Sequence, residues 1–147
     1  MKDYFKLIPA SYVIFRRGDE ILLLQRANTG YLDGSYSLPA GHFDGDESAV
    51  NVAIREAKEE VGVSINAEDL QLKHTLHRLS TIPIKNERID LFFETSKWSG
   101  EIKNMEPEKS SGLKWVTYSN LPEKMVPEVR QALERIVAGE SFSEMNF

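Results

Sequence analysis

Three glutamates, Glu56, Glu59 and Glu60, lie in one five-residue window, and carboxylates gathered in this way suit a hard divalent cation such as Mg²⁺. If the window is helical, at ~100° per residue the three fall within roughly a 100° arc and crowd one face near the helix C-terminus. That is the unfavourable end for negative charge. Glu56 and Glu60 repel at i,i+4, and Glu59 and Glu60 oppose the macrodipole, each at a cost of about a few tenths of a kcal/mol. Arg55 can reach Glu59 at i,i+4 and Lys58 softens the field, yet the face stays net negative. A divalent cation is the natural counter-charge. Taken alone, a helix face rich in Glu, Lys and Arg is most often simply solvated.

Local signals bracket the helix that would carry these acids. Asp46 can serve as N-cap, Glu47 then falls in the first turn where the dipole favours a carboxylate, and Gly62 suits the left-handed residue that ends a helix. The expected span is Glu47 to Val61.

The complete spacing is far more specific than the acids alone. From Gly41 the chain reads five residues to Glu47, seven to Arg55-Glu56-Ala57, then Lys58 and Glu59-Glu60-Val61-Gly62-Val63. This resembles the Nudix box of the Nudix hydrolase family at every specified position. From average residue frequencies a random window would match on the order of one time in a billion. The resemblance implies Mg²⁺-dependent hydrolysis of a nucleoside diphosphate linked to another moiety, with Mn²⁺ able to substitute. Glu56, Glu59 and Glu60 match the metal ligands, and the Gly41 carbonyl often joins the metal shell. By the same resemblance Glu59, Glu60, Arg55 and Glu47 are the catalytic set: Arg55 orients a glutamate and Glu47 supports the metal site. The base that activates water is one of these or a downstream loop acid, for which Glu106 and Glu108 are the candidates. Family members usually read Trp-x-x-Pro-Gly-Gly into the box. Tyr36 and Ala40 depart from that tract, and Gly41 is retained.

Elements that would position the box can be read on either side of it. Ala10–Arg16 and Glu20–Arg26 are apolar, β-prone runs joined by Arg17-Gly18-Asp19, which reads as a hairpin covered on both faces. Ala27–Ser35 is a glycine-containing loop leading into the box. Leu70–Arg78 and Arg88–Glu94 read as two further strands, and Gly112–Tyr118 as the last. The polar stretch Trp98–Ser111 reads as a mobile loop. From Val126 onward, Val129, Leu133, Ile136 and Val137 keep helical spacing, and Gly139 ends the helix. Strands, a central helix, more strands and a terminal helix give an α+β class, a mixed β-sheet sandwiched between helices (an α/β/α sandwich), as in the Nudix fold.

Composition sets the outer bounds. A chain of 147 residues with 41% hydrophobic and 28% charged residues suits one soluble domain, residues 1–147, with its box at 41–63. The net charge of -5 argues against electrostatic binding of duplex nucleic acid, which calls for a basic stripe. There are no cysteines, which excludes disulfides, thiolate zinc sites and a cysteine nucleophile. The N-terminus lacks the apolar core and cleavage site of a signal peptide, and no run reaches membrane-spanning length. A cytoplasmic enzyme, monomer or homodimer, acting on a small nucleotide is the expectation.

Other residues have weaker claims. His74 and His77, three apart on a strand, project to opposite faces and cannot chelate one ion; with His42 they read as satisfied or surface histidines, or as substrate contacts. Trp115 reads as core and Trp98 as freer to stack. Arg26 and Arg88 lie where a guanidinium could grip phosphate, with surface ion pairing as the alternative. Met125-Val126-Pro127-Glu128-Val129 resembles the Met-Trp-Pro-acid-acid run with which oxidised-purine nucleoside triphosphatases hold the base. Val126 stands in place of the tryptophan and Glu128 is the one remaining acid, which implies a base contact with relaxed selectivity; the alternative is that Glu128 favours a helix N-terminus.

The expected reaction is release of a nucleoside monophosphate and pyrophosphate from a triphosphate. Cleavage of ADP-ribose or another sugar nucleotide is the second reading, and a non-catalytic nucleotide-binding domain the third. ADP-ribose members tend to carry a proline where this chain has Arg78, and the tyrosine of dinucleoside-polyphosphate members and the long motif of NADH members are absent.

Overall fold

The computed structural model describes residues 1–147. Along β1 (Ile8–Arg17) successive side chains leave on opposite faces, and both faces are apolar: Tyr12 and Ile14 enter one core, Val13 and Phe15 the other. β2 (Glu20–Arg26) repeats this with Ile21 and Leu23 against Leu22, and β6 (Asn86–Thr95) with Phe92 against Phe93. A sheet apolar on both faces must be covered on both. Val129, Ala132 and Leu133 of α2 (Pro127–Val137) cover the first face, and Ala53, Ala57 and Val61 of α1 (Ala49–Val61) cover the second. The fold is the α+β sandwich expected.

The sheet runs β3 (Tyr36–Ser37), β2, β1, β6, β5 (Gln71–Ser80), β8 (Phe142–Met145), with β4 (Ala40–His42) on β1 and β7 (Ser110–Thr117) on β2. β1 with β6 and β5 with β8 are parallel; the other pairs are antiparallel. One irregularity matters for function. β1 pairs with β2 only at Arg16 and Arg17, after which β2 diverges toward β3 and β7, and β4 takes its place beside Ala10, Ser11 and Tyr12. A cleft opens at that split. Its walls are set by register, with Gly41 opposite Ser11, and Asp90 opposite Ala10 on the other side of β1.

The structure corrects several local expectations. Asp46 is not the N-cap, because it has a left-handed φ of +54° in a turn with Gly45. Ser48 caps α1 instead, its hydroxyl accepting from the Asn51 N–H at 3.1 Å. The helix therefore starts at Ala49, and Glu47 lies before it, outside the first turn. At the other end Gly62 is left-handed (φ +76°) and its N–H donates to the Lys58 carbonyl, as expected. The stretch Trp98–Ser111 has little regular structure but is tied down: Ser99 and Ser64 exchange backbone bonds, Lys103 N–H donates to Val61 and Met105 N–H to Glu60. Trp115 is half-buried at the edge of the second core, not inside it. No helix is long and apolar enough to cross a membrane.

Candidate active site

Arg55 organises the acids of the box. Its Nε and Nη2 each donate to the Glu47 carboxylate at 3.0 Å, Nη1 donates to Glu56 Oε1 at 2.8 Å, and Nη2 also lies 3.4 Å from Asp44 Oδ2. The orienting role expected of Arg55 thus falls on Glu56, and Glu47 buttresses the guanidinium. Glu60 has no cationic partner; it accepts only the Ala40 N–H, at 3.2 Å. Enclosure pushes its carboxyl well above the ordinary value, and the neighbouring Glu56 pushes it further. Glu56 is raised in the same way, by burial and then by Glu59, with Arg55 pulling back.

The convergence of three carboxylates on one point is only partly realised. Glu56 and Glu60 turn in together, whereas Glu59 is half-exposed and drawn toward Arg55 at 3.6 Å. No three acidic or histidine side chains stand at ligand spacing around one point. The physical reason lies in Arg55, which attracts Glu59 sideways along the helix while Glu60 is held against β4.

Gly41 shows that the site is shaped for a charged carboxylate at the sheet edge. A Cβ at position 41 would lie 2.0 Å from Glu56 Cδ, so that carboxylate occupies the room a side chain would need and rests against the bare backbone of β4. Two raised, crowded carboxylates with one guanidinium between them form a surplus of hard oxygen donors, and a divalent cation fits that surplus.

Two adjoining pockets open at the split in the sheet, of about 470 and about 350 Å³. Arg26, Thr29, Ala40 and His42 line both and form the seam. The smaller pocket holds Glu60 and, on the 102–110 loop, Glu106 and Lys109. Glu106 therefore joins the acids, as one of the two loop candidates. Glu108, the other, is exposed and lines neither pocket.

The larger pocket is lined by Tyr12, Tyr31, Arg78, Arg88, Val126 and Glu128, among others. Glu128 is buried in the first turn of α2, where the helix dipole favours it, and it also lines this pocket. Its Oε1 accepts from the Tyr31 hydroxyl at 3.3 Å and lies 3.8 Å from Arg78 Nη1. Arg78 in turn donates through Nε to Asp90 Oδ2 at 2.6 Å, while Asp90 Oδ1 has no partner. Burial raises the Asp90 carboxyl, and the Arg78 guanidinium holds part of that shift back.

Arg26 and Arg88 both line the larger pocket and neither pairs with a carboxylate. Arg26 is held by the Tyr31 carbonyl (2.8 Å) and Thr29 Oγ1 (3.0 Å). Arg88 is held by Asn86 Oδ1 (2.8 Å) and donates to His42 Nε2 at 2.9 Å. Burial and the Arg88 charge lower the His42 pKa, which keeps this imidazole a neutral acceptor. The other histidines are structural. His74 is buried between the Glu140 carbonyl and Ser143 Oγ, and His77 pairs with Glu87. Trp98 packs edge-on to Phe15 and beside Trp115, away from both pockets.

Tyr12, Tyr31, Arg78 and Asp90 escaped the sequence reading. A signal was present for Asp90, which interrupts the apolar run Ile89–Phe93, since a charge buried in a sheet requires an opposite partner nearby; Arg78, in a strand with Lys73, His74 and His77, carried none.

Fold and site together define a class of protein, and the chain belongs to the NUDIX family: the model of the NUDIX domain matches residues 6–136. Among curated relatives, the NAD-capped RNA hydrolase NudC of Pseudomonas putida is 30% identical over 122 residues, covering 83% of this chain and 41% of its own length. The chain thus spans about two fifths of that relative. Among solved structures, the MutT NUDIX hydrolase from Burkholderia pseudomallei superposes with a TM-score of 0.80 at 23% identity, covering 88% of this chain and 98% of the other. The E. coli ORF135 protein superposes at 0.76 and 21% identity, covering 90% of each chain. At these identities the structural likeness concerns the fold.

Proposed function

We propose that this domain is a divalent-metal-dependent pyrophosphohydrolase acting on a free nucleotide, with a (deoxy)nucleoside triphosphate cleaved to the monophosphate and pyrophosphate as its preferred reaction. The observation that carries this reading is the seam: a base-sized pocket with two guanidiniums unpaired with carboxylate runs directly into a pocket walled by Glu60, which has no cationic partner, and Glu106. A nucleotide lying across it places its base beside Glu128 and its phosphates between Arg26, Arg88 and the acids.

Glu56 and Glu60, with the Gly41 carbonyl, would hold Mg²⁺ or Mn²⁺, and Glu59 would complete the set from the helix surface. When bound, such a cation screens phosphate charge and makes a coordinated water more acidic. The chain's own groups supply the rest. Arg55 fixes the Glu56 carboxylate, Arg26 and Arg88 orient phosphate oxygens through charge-assisted hydrogen bonds, and a carboxylate of the smaller pocket, Glu60 or Glu106, accepts the proton of the attacking water. Water oxygen bonds to phosphorus as the bridging P–O bond breaks, and pyrophosphate leaves. A nucleotide panel in Mg²⁺ and in EDTA, following phosphate and pyrophosphate separately, tests this. Metal-dependent pyrophosphate release from triphosphates supports it.

A second reading is hydrolysis of ADP-ribose or another sugar nucleotide, or of NAD itself, the last drawing on the name of the NAD-capped RNA hydrolase relatives. The same panel separates the two: cleavage of NAD or ADP-ribose without pyrophosphate release from any triphosphate favours the second. Binding without turnover of any member would favour a non-catalytic domain.

A further inference from the structure

The loop that closes the smaller pocket has a fixed backbone and one loosely held side chain. Ala27 N–H donates to the Lys109 carbonyl at 2.9 Å, and the Lys109 and Ser110 N–H groups both donate to the Glu106 carbonyl, at 2.9 and 3.0 Å. Asn104 adds two more bonds, donating to the Ser110 carbonyl and accepting from the Glu106 N–H. Against this rigid backbone the Lys109 side chain is 64% exposed, and its ammonium has one ionic partner, Glu106 Oε2 at 3.6 Å. An exposed pair of that length is weak and readily exchanged.

Lys109 is the one lysine lining either pocket; it lines only the smaller, where its backbone borders the seam through Ala27 beside Arg26. Its partner Glu106 lines the same pocket as Glu60. A nucleotide whose base lies by Glu128 and whose first phosphates meet Arg26 and Arg88 would run on into the smaller pocket with the end of its phosphate chain. A terminal phosphate carries a charge of about -1.5 to -2 and three acceptor oxygens, so it outcompetes a single carboxylate for an ammonium.

We propose that Lys109 exchanges Glu106 for the terminal phosphate of a nucleoside triphosphate, and so selects triphosphates over diphosphate-linked substrates while releasing Glu106 toward Glu56 and Glu60. This rests on the triphosphate reading of the site. Lys109 acts as a specificity-determining contact to the leaving pyrophosphate, and the exchange couples filling of the pocket to completion of its acidic wall.

The experiment compares wild type, Lys109→Ala and Lys109→Arg on dCTP and dCDP. Loss of one charge-assisted contact should lower kcat/KM for dCTP in Lys109→Ala by about 10- to 100-fold, chiefly through KM, against about threefold or less for dCDP. Lys109→Arg, which keeps the charge, should recover dCTP to within about threefold. A dCTP-to-dCDP ratio unchanged in Lys109→Ala overturns the proposal, as does an equal fall for both. If wild type releases no pyrophosphate from any triphosphate, the triphosphate reading fails separately. Lys109 is then judged by calorimetric binding of inorganic tripolyphosphate, where affinity about tenfold weaker in Lys109→Ala upholds the contact and equal affinity overturns it.

Discussion

Arg78 and Asp90 face each other across neighbouring strands, Nε to Oδ2 at 2.6 Å, with 8% and 0% of their side chains exposed. Arg78 Nη1 also lies 3.8 Å from Glu128 Oε1, so the larger pocket is lined by a buried cation and one carboxylate, with Asp90 as that cation's second carboxylate. Removing one member of a buried pair strands the other charge, which costs about 3–5 kcal/mol, whereas replacing the pair with apolar residues is often neutral. Asp90→Asn should therefore lower stability by about that amount, reduced by whatever Glu128 recovers, while Arg78→Met with Asp90→Leu and Glu128→Gln, which strands no charge, should fold nearly as well as wild type and lose base selectivity. Urea unfolding of both variants, with a substrate panel on the second, is the check. A loss of under about 0.5 kcal/mol in Asp90→Asn would show that the pair carries no such weight.

Glu60 gives the metal-free protein a specific pH response. Its carboxyl is raised above the ordinary 4.5 because it is enclosed and lies beside Glu56. The folded state therefore keeps a proton that the unfolded chain has lost, and its stability falls as pH rises from about 4.5 through the raised pKa. In EDTA, the difference in Tm between Glu60→Gln and wild type should grow in favour of the variant across that interval, since the amide carries no charge. Turnover in Mg²⁺ should drop by at least ~10²-fold in the same variant. A variant that melts several degrees below wild type in EDTA at neutral pH would mark Glu60 as a structural acid.

Much of this was legible in the sequence because the information was local. The box spacing marked Glu47, Arg55, Glu56, Glu59 and Glu60, and the long strands followed from apolar runs whose alternate residues now fill separate cores. β3 and β4, of two and three residues, are too short to show a period, and β8 follows the last helix as a short edge strand. Glu59 takes up the i,i+4 contact with Arg55 that the spacing offered, at 3.6 Å, and is the most exposed of the three acids. The larger pocket was the least visible part. Tyr31, Arg78, Asp90 and Glu128 come from a loop, two strands and a helix, and only the register between β1, β5 and β6 brings them together.

Gly41 should respond to substitution in a way that separates stability from metal binding. It is not a left-handed position, and a Cβ there would meet the far end of the flexible Glu56 side chain, with Glu56 Cδ and Oε1 both at 2.0 Å. Because Glu56 Cγ also lies in the way, Gly41→Ala requires a new Glu56 rotamer that gives up the bond to Arg55, so the metal-free Tm should fall only modestly. The displaced ligand should nonetheless weaken the metal site by about 10- to 100-fold. Mg²⁺ titrations of Tm give the measurement, because a ligand that binds only the folded state raises Tm by mass action. An Mg²⁺-induced shift equal to that of wild type would place the cation away from Glu56.

Base selectivity tests the larger pocket. Val126 and Glu128 both line it, with 3% and 5% of their surfaces exposed, so on the proposed reading Val126 would stand where a stacking aromatic gives more and Glu128 would accept from a base amino group. A stacked aromatic is worth ~0.5–1.5 kcal/mol beyond its area and a lost buried hydrogen bond ~1–3 kcal/mol, which together predict discrimination about one to three decades weaker than in a pocket holding both groups. Wild type should therefore hydrolyse dCTP, dGTP and 8-oxo-dGTP with kcat/KM values that differ modestly. Glu128→Ala keeps Arg78 paired with Asp90 and so should fold, but it frees the Tyr31 hydroxyl and removes the acceptor, which should reorder those three substrates. The measurement is kcat/KM for each substrate in both proteins, with a Tm to confirm folding. A wild-type preference for 8-oxo-dGTP over dGTP above about 10⁴ exceeds what this pocket can supply and would refute relaxed selectivity. An unchanged ranking in Glu128→Ala would reduce that residue to a buried partner of Arg78 and Tyr31.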